Sequence, residues 1–111
     1  MSKRDDILLL EDINESCDKI FRYIENMAYE DFINDEKTID AVIRNFEVIG
    51  EAANRLSDDI YREYNKVKWR QIIGLRNRLI HGYFGIDYKI VWTIIGDNLT
   101  EFQKQIKSMI K

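Results

Sequence analysis

Apolar residues return at steps of three and four along almost the whole chain, a period that fits amphipathic helices and little else. Over residues 4–27 the stripe is Leu10, Ile13, Cys17, Ile20, Ile24 and Met27, widened by Phe21. Over 36–56 it is Ile39, Val42, Ile43, Phe46, Ile49, Ala53 and Leu56. A third helix starting near Trp69 has Trp69, Ile72, Ile73, Leu79 and Ile80 on its apolar face. A fourth follows Asp87, with Val91, Ile94, Ile95, Leu99, Phe102, Ile106 and Met109. No proline and only five glycines punctuate these runs, so many short strands are excluded. The expectation is an all-α, up-down antiparallel four-helix bundle with one short extra helix over 58–64, and a single domain spanning 1–111.

Boundaries follow from the polar residues between stripes. The stretch 28–36 reads as a polar connection in which Asn34 or Asp35 caps the second long helix. Ser57 is placed to end that helix and cap the short one, and Asp87 to cap the last. Gly82 suits the residue after a helix C-terminus, and Gly85 a turn. Within the second helix Gly50, Ala52 and Ala53 make a patch of small residues. A mid-helix glycine costs about 1 kcal/mol relative to alanine, so the patch predicts that another helix comes close there.

Charge is unevenly divided. The net charge is −3, yet residues 1–61 hold seven basic and sixteen acidic side chains, whereas 62–111 hold ten and four. Arg62, Lys66, Lys68, Arg70, Arg76 and Arg78 cluster with only Glu63 among them. Such a patch attracts polyanions even on an acidic protein, and it makes Lys66, Lys68, Arg70 and Arg78 candidates for binding RNA. An ordinary solvated helix face accounts for the same lysines and arginines. The lone Cys17 cannot form an internal disulfide and lies on an apolar stripe, which suits a reducing compartment. The early run Ile7-Leu8-Leu9-Leu10 is too short for a signal peptide core or a membrane span. The expected location is therefore the cytoplasm.

The segment Arg76-Asn77-Arg78-Leu79-Ile80-His81-Gly82-Tyr83 contains the only histidine. Arg76 shares the row of Trp69, Ile72, Ile73 and Ile80. Desolvating a guanidinium there is expensive, so Arg76 either pairs with a carboxylate or lines a cleft meant for an anion. Asn77 and His81, four apart, share a face, and an amide beside an imidazole can fix its tautomer. Arg76 and His81 diverge by about 140° on an ideal helix. Two copies of this helix facing across a two-fold axis would put both residue types in one cleft. A histidine in a last helical turn also serves simply as a cap favoured by the helix dipole, and spacing alone leaves both roles open. One histidine and one cysteine make no usual zinc site, and no glycine-rich phosphate loop follows a strand. No metal or cofactor is expected.

The same segment resembles the R-x4-H-x-Y signature of HepT-type HEPN proteins. Val48 through Ala53 is similar to that family's second long helix, and Trp69–Gly74 and Gly82–Asp87 to the flanks of its motif. Lys68 departs from the pattern, since many relatives carry proline before the tryptophan. The resemblance implies a dimeric bundle with the motif lining a cleft between protomers. It implies metal-independent RNA cleavage by the toxin of a type VII (HEPN/MNT) toxin–antitoxin pair. His81 would be general acid/base, Arg76 would bind the scissile phosphate, and Asn77 would support that geometry. A minimal nucleotidyltransferase antitoxin would transfer AMP to Tyr83. The alternatives are a non-catalytic subunit that binds nucleotide or a nucleotidyltransferase partner, and a catalytically silent helical dimer.

Overall fold

Each of the four stripes becomes a helix, and the helices stack in two layers. A computed structural model describes residues 3–81 and 86–110. Helix α1 spans Lys3–Tyr23, α2 Tyr29–Ile33, α3 Glu36–Asn54, α4 Asp58–Glu63 and α5 Trp69–His81. The last stripe is covered by α6, Tyr88–Ile94, a π-helical turn Ile95–Leu99, and α7, Thr100–Ile110. Among the described residues there is no strand, and no helix is long and apolar enough to cross a membrane.

Helices α1 and α3 lie side by side, α5 packs on α3, and α7 packs on α1. Leu10, Ile13, Cys17 and Ile20 of α1 meet Val42, Phe46 and Ile49 of α3 and Leu99 and Ile106 of the last helix in one core. Polar residues pin the layers where they meet. Gln103 of α7 is buried and donates through Nε2 to Asp18 Oδ1 at 2.7 Å and Asn14 Oδ1 at 3.0 Å on α1. Burial pushes the Cys17 thiol up to about 12, with the charge of Asp18 adding to the rise, so this sulfur behaves as a small core group.

The boundaries depart from the expectation in three places. Helix α1 stops at Tyr23 and not near Met27, because Asn26 takes a left-handed backbone with φ 64°, a conformation asparagine tolerates better than most residues. The connection at 28–36 is not a plain loop. It contains the turn of α2, which starts where Asp31 Oδ2 accepts from the Ala28 N–H at 2.8 Å and which buries Phe32 against Trp92. There are thus two short helices beside the four long stripes. Third, the final helix carries its widened turn at Ile95–Leu99. Val91, Ile95 and Leu99 are spaced by two steps of four, each overrunning an α-turn by about 40°. The wider turn takes up part of that overrun and keeps all three buried.

Two of the anticipated caps form, and one does not. Asp35 accepts from Thr38 N at 3.1 Å, which holds its carboxyl below the usual carboxylate range, and Asp87 accepts from Lys89 N at 2.9 Å. Ser57 occupies the cap position of α4 but does not cap it. Its hydroxyl donates instead to Asp6 Oδ2 at 2.6 Å, and its N–H to Asp6 Oδ1 at 2.9 Å. The buried carboxylate of α1 takes both donors because each offers it a charge-assisted bond.

The close approach expected at the small-residue patch occurs at Gly50, where α5 crosses α3. A Cβ on Gly50 would collide with Arg76 Cβ, lie 2.8 Å from Arg76 Cγ and 3.2 Å from the Ile72 carbonyl oxygen. The first obstacle is the root of a side chain and the last is backbone, so relief requires moving α5. Gly96, exposed in the π turn, has nothing within 4 Å of such a Cβ. Gly50→Ala is therefore expected to destabilise the fold by about 1–3 kcal/mol through overpacking, despite alanine's better helix propensity. Gly96→Ala is expected to be neutral or to stabilise by up to about 1 kcal/mol. Urea unfolding of the two variants beside the parent checks the opposite signs.

Candidate active site

Helix α5 is anchored at its beginning and open at its end. Trp69, its first residue, is buried, donates through Nε1 to the Tyr64 carbonyl at 3.1 Å, and meets Tyr61 and Phe102 edge-on at 5.8 and 6.3 Å. Tyr61 in turn donates to the Ala53 carbonyl. Its phenol is raised above its usual range by burial and then by the charges of Asp58 and Asp6. Beyond Trp69, only Leu79 on α5 is buried, while Ile72, Ile73, Leu75 and Ile80 remain partly exposed. The helix thus leaves part of its apolar surface at the edge of the core.

Arg76 flanks the buried side of α5 over Gly50, with its side chain 22% exposed. Its Nη2 pairs with Glu51 Oε2 of α3 at 2.5 Å, and its Nη1 donates to Asn77 Oδ1 at 2.7 Å. Its Nε is buried and finds no hydrogen-bond partner among the described residues. Of the two fates open to an arginine on this row, pairing with a carboxylate is the one observed. Two of its five N–H donors are used by these neighbours, and part of the fork still reaches solvent.

Asn77 and His81 are both exposed, as is Arg70 two turns before Asn77. On a 3.6-residue helix these three fall on the face turned away from the core. The Asn77 amide oxygen faces Arg76 and not the imidazole. A cation beside it is the stronger donor, so asparagine orients the arginine here. His81 is the last residue of α5. Tyr83, with the anticipated Gly82 helix end and Gly85 turn, lies outside the described residues.

The four basic candidates divide. Lys66, Lys68 and Arg70 line one shallow depression at the start of α5, together with Asn65, Gln71 and Ile73. Arg78 lies elsewhere, beside Leu75, Ile86, Asp87 and Ile90. Arg70 and His81 are eleven residues apart, about 16 Å along the axis at 1.5 Å per residue. The basic depression is therefore at the opposite end of α5 from the histidine. Glu51 was not among the residues singled out from sequence. The demand for an anionic partner of Arg76 was visible, but nothing in the spacing selected Glu51 from sixteen acids in residues 1–61.

Chemically, the surface offers a guanidinium fork held at a helix crossing and an exposed imidazole five residues further along the same helix. Among the described residues no three of His, Cys, Asp and Glu are grouped to hold a metal ion.

Comparison with known proteins points in one direction. A family model described as ribonuclease HepT-like matches residues 13–109. The chain is 39% identical over 107 residues to a provisionally named RNase of Methanocaldococcus jannaschii, covering 96% of this chain and 98% of that one. A second such RNase from the same organism is 40% identical over 111 residues, all of this chain and 92% of the other. A protein of Thermococcus cleftensis provisionally named ribonuclease HepT is 34% identical over 102 residues, 92% of this chain and 93% of its own. No solved structure matches the chain.

Proposed function

The chain belongs to the HepT-like ribonuclease family of HEPN proteins, and from that premise we propose that it is a metal-independent endoribonuclease acting through Arg76, Asn77 and His81. The observation that carries this reading is the state of Arg76. Its guanidinium is held in place at a helix crossing while part of its fork remains open, and the same helix ends on an exposed His81. Guanidinium matches phosphate geometry, and imidazole titrates close to neutrality.

In the proposed reaction the ribose 2′-oxygen attacks the adjacent phosphorus. The P–O2′ bond forms as the P–O5′ bond breaks, leaving a 2′,3′-cyclic phosphate and a 5′-hydroxyl. An imidazole of His81 takes the 2′ proton, and an imidazolium returns one to the departing 5′-oxygen. Arg76 binds the phosphate and stabilises the charge that develops on its oxygens, with Asn77 orienting the guanidinium. The cleft is made by two copies of α5 across a two-fold axis, which brings two arginines and two histidines to one phosphate. The half-buried Ile72, Ile73 and Ile80 leave apolar edges that such a pairing would cover. Lys66, Lys68, Arg70 and Arg78 hold the flanking RNA through its backbone.

The biological setting we propose is a type VII toxin–antitoxin pair in the cytoplasm. A cognate minimal nucleotidyltransferase silences the toxin by transferring AMP from ATP to the phenol oxygen of Tyr83, two residues from His81, with pyrophosphate leaving. The added phosphate competes for Arg76, and the adenosine fills the cleft.

Purified protein is expected to cleave RNA in the presence of EDTA. His81→Ala and Arg76→Ala should each lower the rate by about 10²–10⁴ with helical circular dichroism unchanged. Full cleavage by His81→Ala, or wild-type cleavage abolished by EDTA, contradicts the mechanism. Light scattering at micromolar concentration should give twice the 13.3 kDa chain mass; a monomer, with or without RNA, removes the shared cleft. Tyr83→Phe should still cleave RNA yet escape neutralisation, and mass spectrometry of the co-expressed pair should find AMP on the Tyr83 peptide. An unmodified peptide from a neutralised pair shifts the explanation to masking by the partner.

A further inference from the structure

We infer that Glu51 is the positioning residue for Arg76, holding the guanidinium in the orientation from which it meets a phosphate. The inference rests on the nuclease reading above and assigns that site a member from a second helix. Arg76 Cβ fills the space that any side chain at position 50 would occupy, so the first part of the arginine is pressed onto the α3 backbone. At the tip, Glu51 takes Nη2 and Asn77 takes Nη1. The fork is thus clamped at both ends, once from α3 and once from its own helix. Between them Nε has left water with no partner among the described residues, an arrangement that costs stability.

The form of the ion pair separates positioning from two other roles. A competitor for the phosphate would cover the fork, whereas Glu51 engages it at Nη2 through Oε2 and is itself 54% exposed. A brace for the fold is also a poor description, because ion pairs this open add little stability and the crossing is already fixed by the contact at Gly50. The carboxylate reaches across to α5, although Arg55, at the C-terminal cap of its own helix, lines one depression with it. An oriented guanidinium matters because displacing a catalytic group by about 1 Å can cost about 10²-fold in rate.

The test uses the full chain with ¹⁵N-labelled arginine, and reads both the side chain and the reaction. The Arg76 Nε–Hε resonance is identified by its loss in Arg76→Ala. It is expected to be protected from solvent exchange in the parent, to exchange at least about ten-fold faster in Glu51→Ala, and to lie between these in Glu51→Gln. In RNA cleavage Glu51→Ala should lower kcat about 10- to 100-fold, with a smaller change in KM. Combining it with Arg76→Ala should slow the reaction no further than Arg76→Ala alone, since both act through one group. An Arg76 resonance unaltered in Glu51→Ala overturns the inference whatever the activity, and so does faster cleavage by that variant. A resonance that responds as expected in a protein that cleaves no RNA upholds the positioning role and removes the nuclease reading instead. Glu51→Gln, which preserves shape, carries the same comparison if Glu51→Ala does not fold.

Discussion

The crossing of α3 and α5 at Gly50 is the contact on which the rest of the site depends. Without a Cβ at that position, the α5 backbone approaches α3 closely enough for the Ile72 carbonyl and the Arg76 side-chain root to rest on it. The same approach puts Arg76 beside Glu51, the next residue on α3. A larger residue would separate the helices and also part the charged pair. Packing and electrostatics are fixed here by one missing methyl group, and the mid-helix glycine's loss of helix propensity is offset by the contact it permits.

Helix α5 then divides its work along its length. Its first residue supplies the anchor, with Trp69 wedged between Tyr61 and Phe102 and hydrogen-bonded to Tyr64. Its middle supplies the crossing, and its last turn supplies exposed polar groups. Trp69 at one end and Leu79 near the other are its buried side chains, while Asn77 and His81, on the opposite face, stay exposed. The polar pins elsewhere, Asp6 with Ser57 and Gln103 with Asn14 and Asp18, keep the supporting layer in register.

The helices were legible in the sequence because their period is a direct imprint of burial, and Val42, Phe46 and Ile49 are buried as the stripe requires. The small-residue patch foretold a close approach, since a glycine in mid-helix has few other uses. Partners were less legible where a residue had a choice of them. Ser57 had the form of a cap, but a buried carboxylate 51 residues away outcompeted the local backbone N–H groups. Asn77 could have faced an imidazole four residues on, but an adjacent cation attracted it more strongly. Asn26 ended α1 early by adopting a backbone conformation that hydrophobic spacing does not encode. Glu51 escaped for the same reason: pairing across helices depends on the angle at which they cross, and periodicity within one helix contains no information about that angle.

The layering also has an electrical consequence. Helices α1 and α3, which lie together, each carry a net charge of −2, whereas α5 carries +3 and α7 +1. Since α5 packs on α3 and α7 on α1, charge is separated across both helix pairs, negative on α1 and α3 and positive on α5 and α7. A nearby polyanion exerts a torque on such a molecule and turns it before any two atoms touch. The torque fades beyond a Debye length of about 8 Å at physiological salt, so the alignment operates in the last moments of approach. The face presented in an encounter is then selected by the order in which the helices are stacked, and no single arginine is responsible for it.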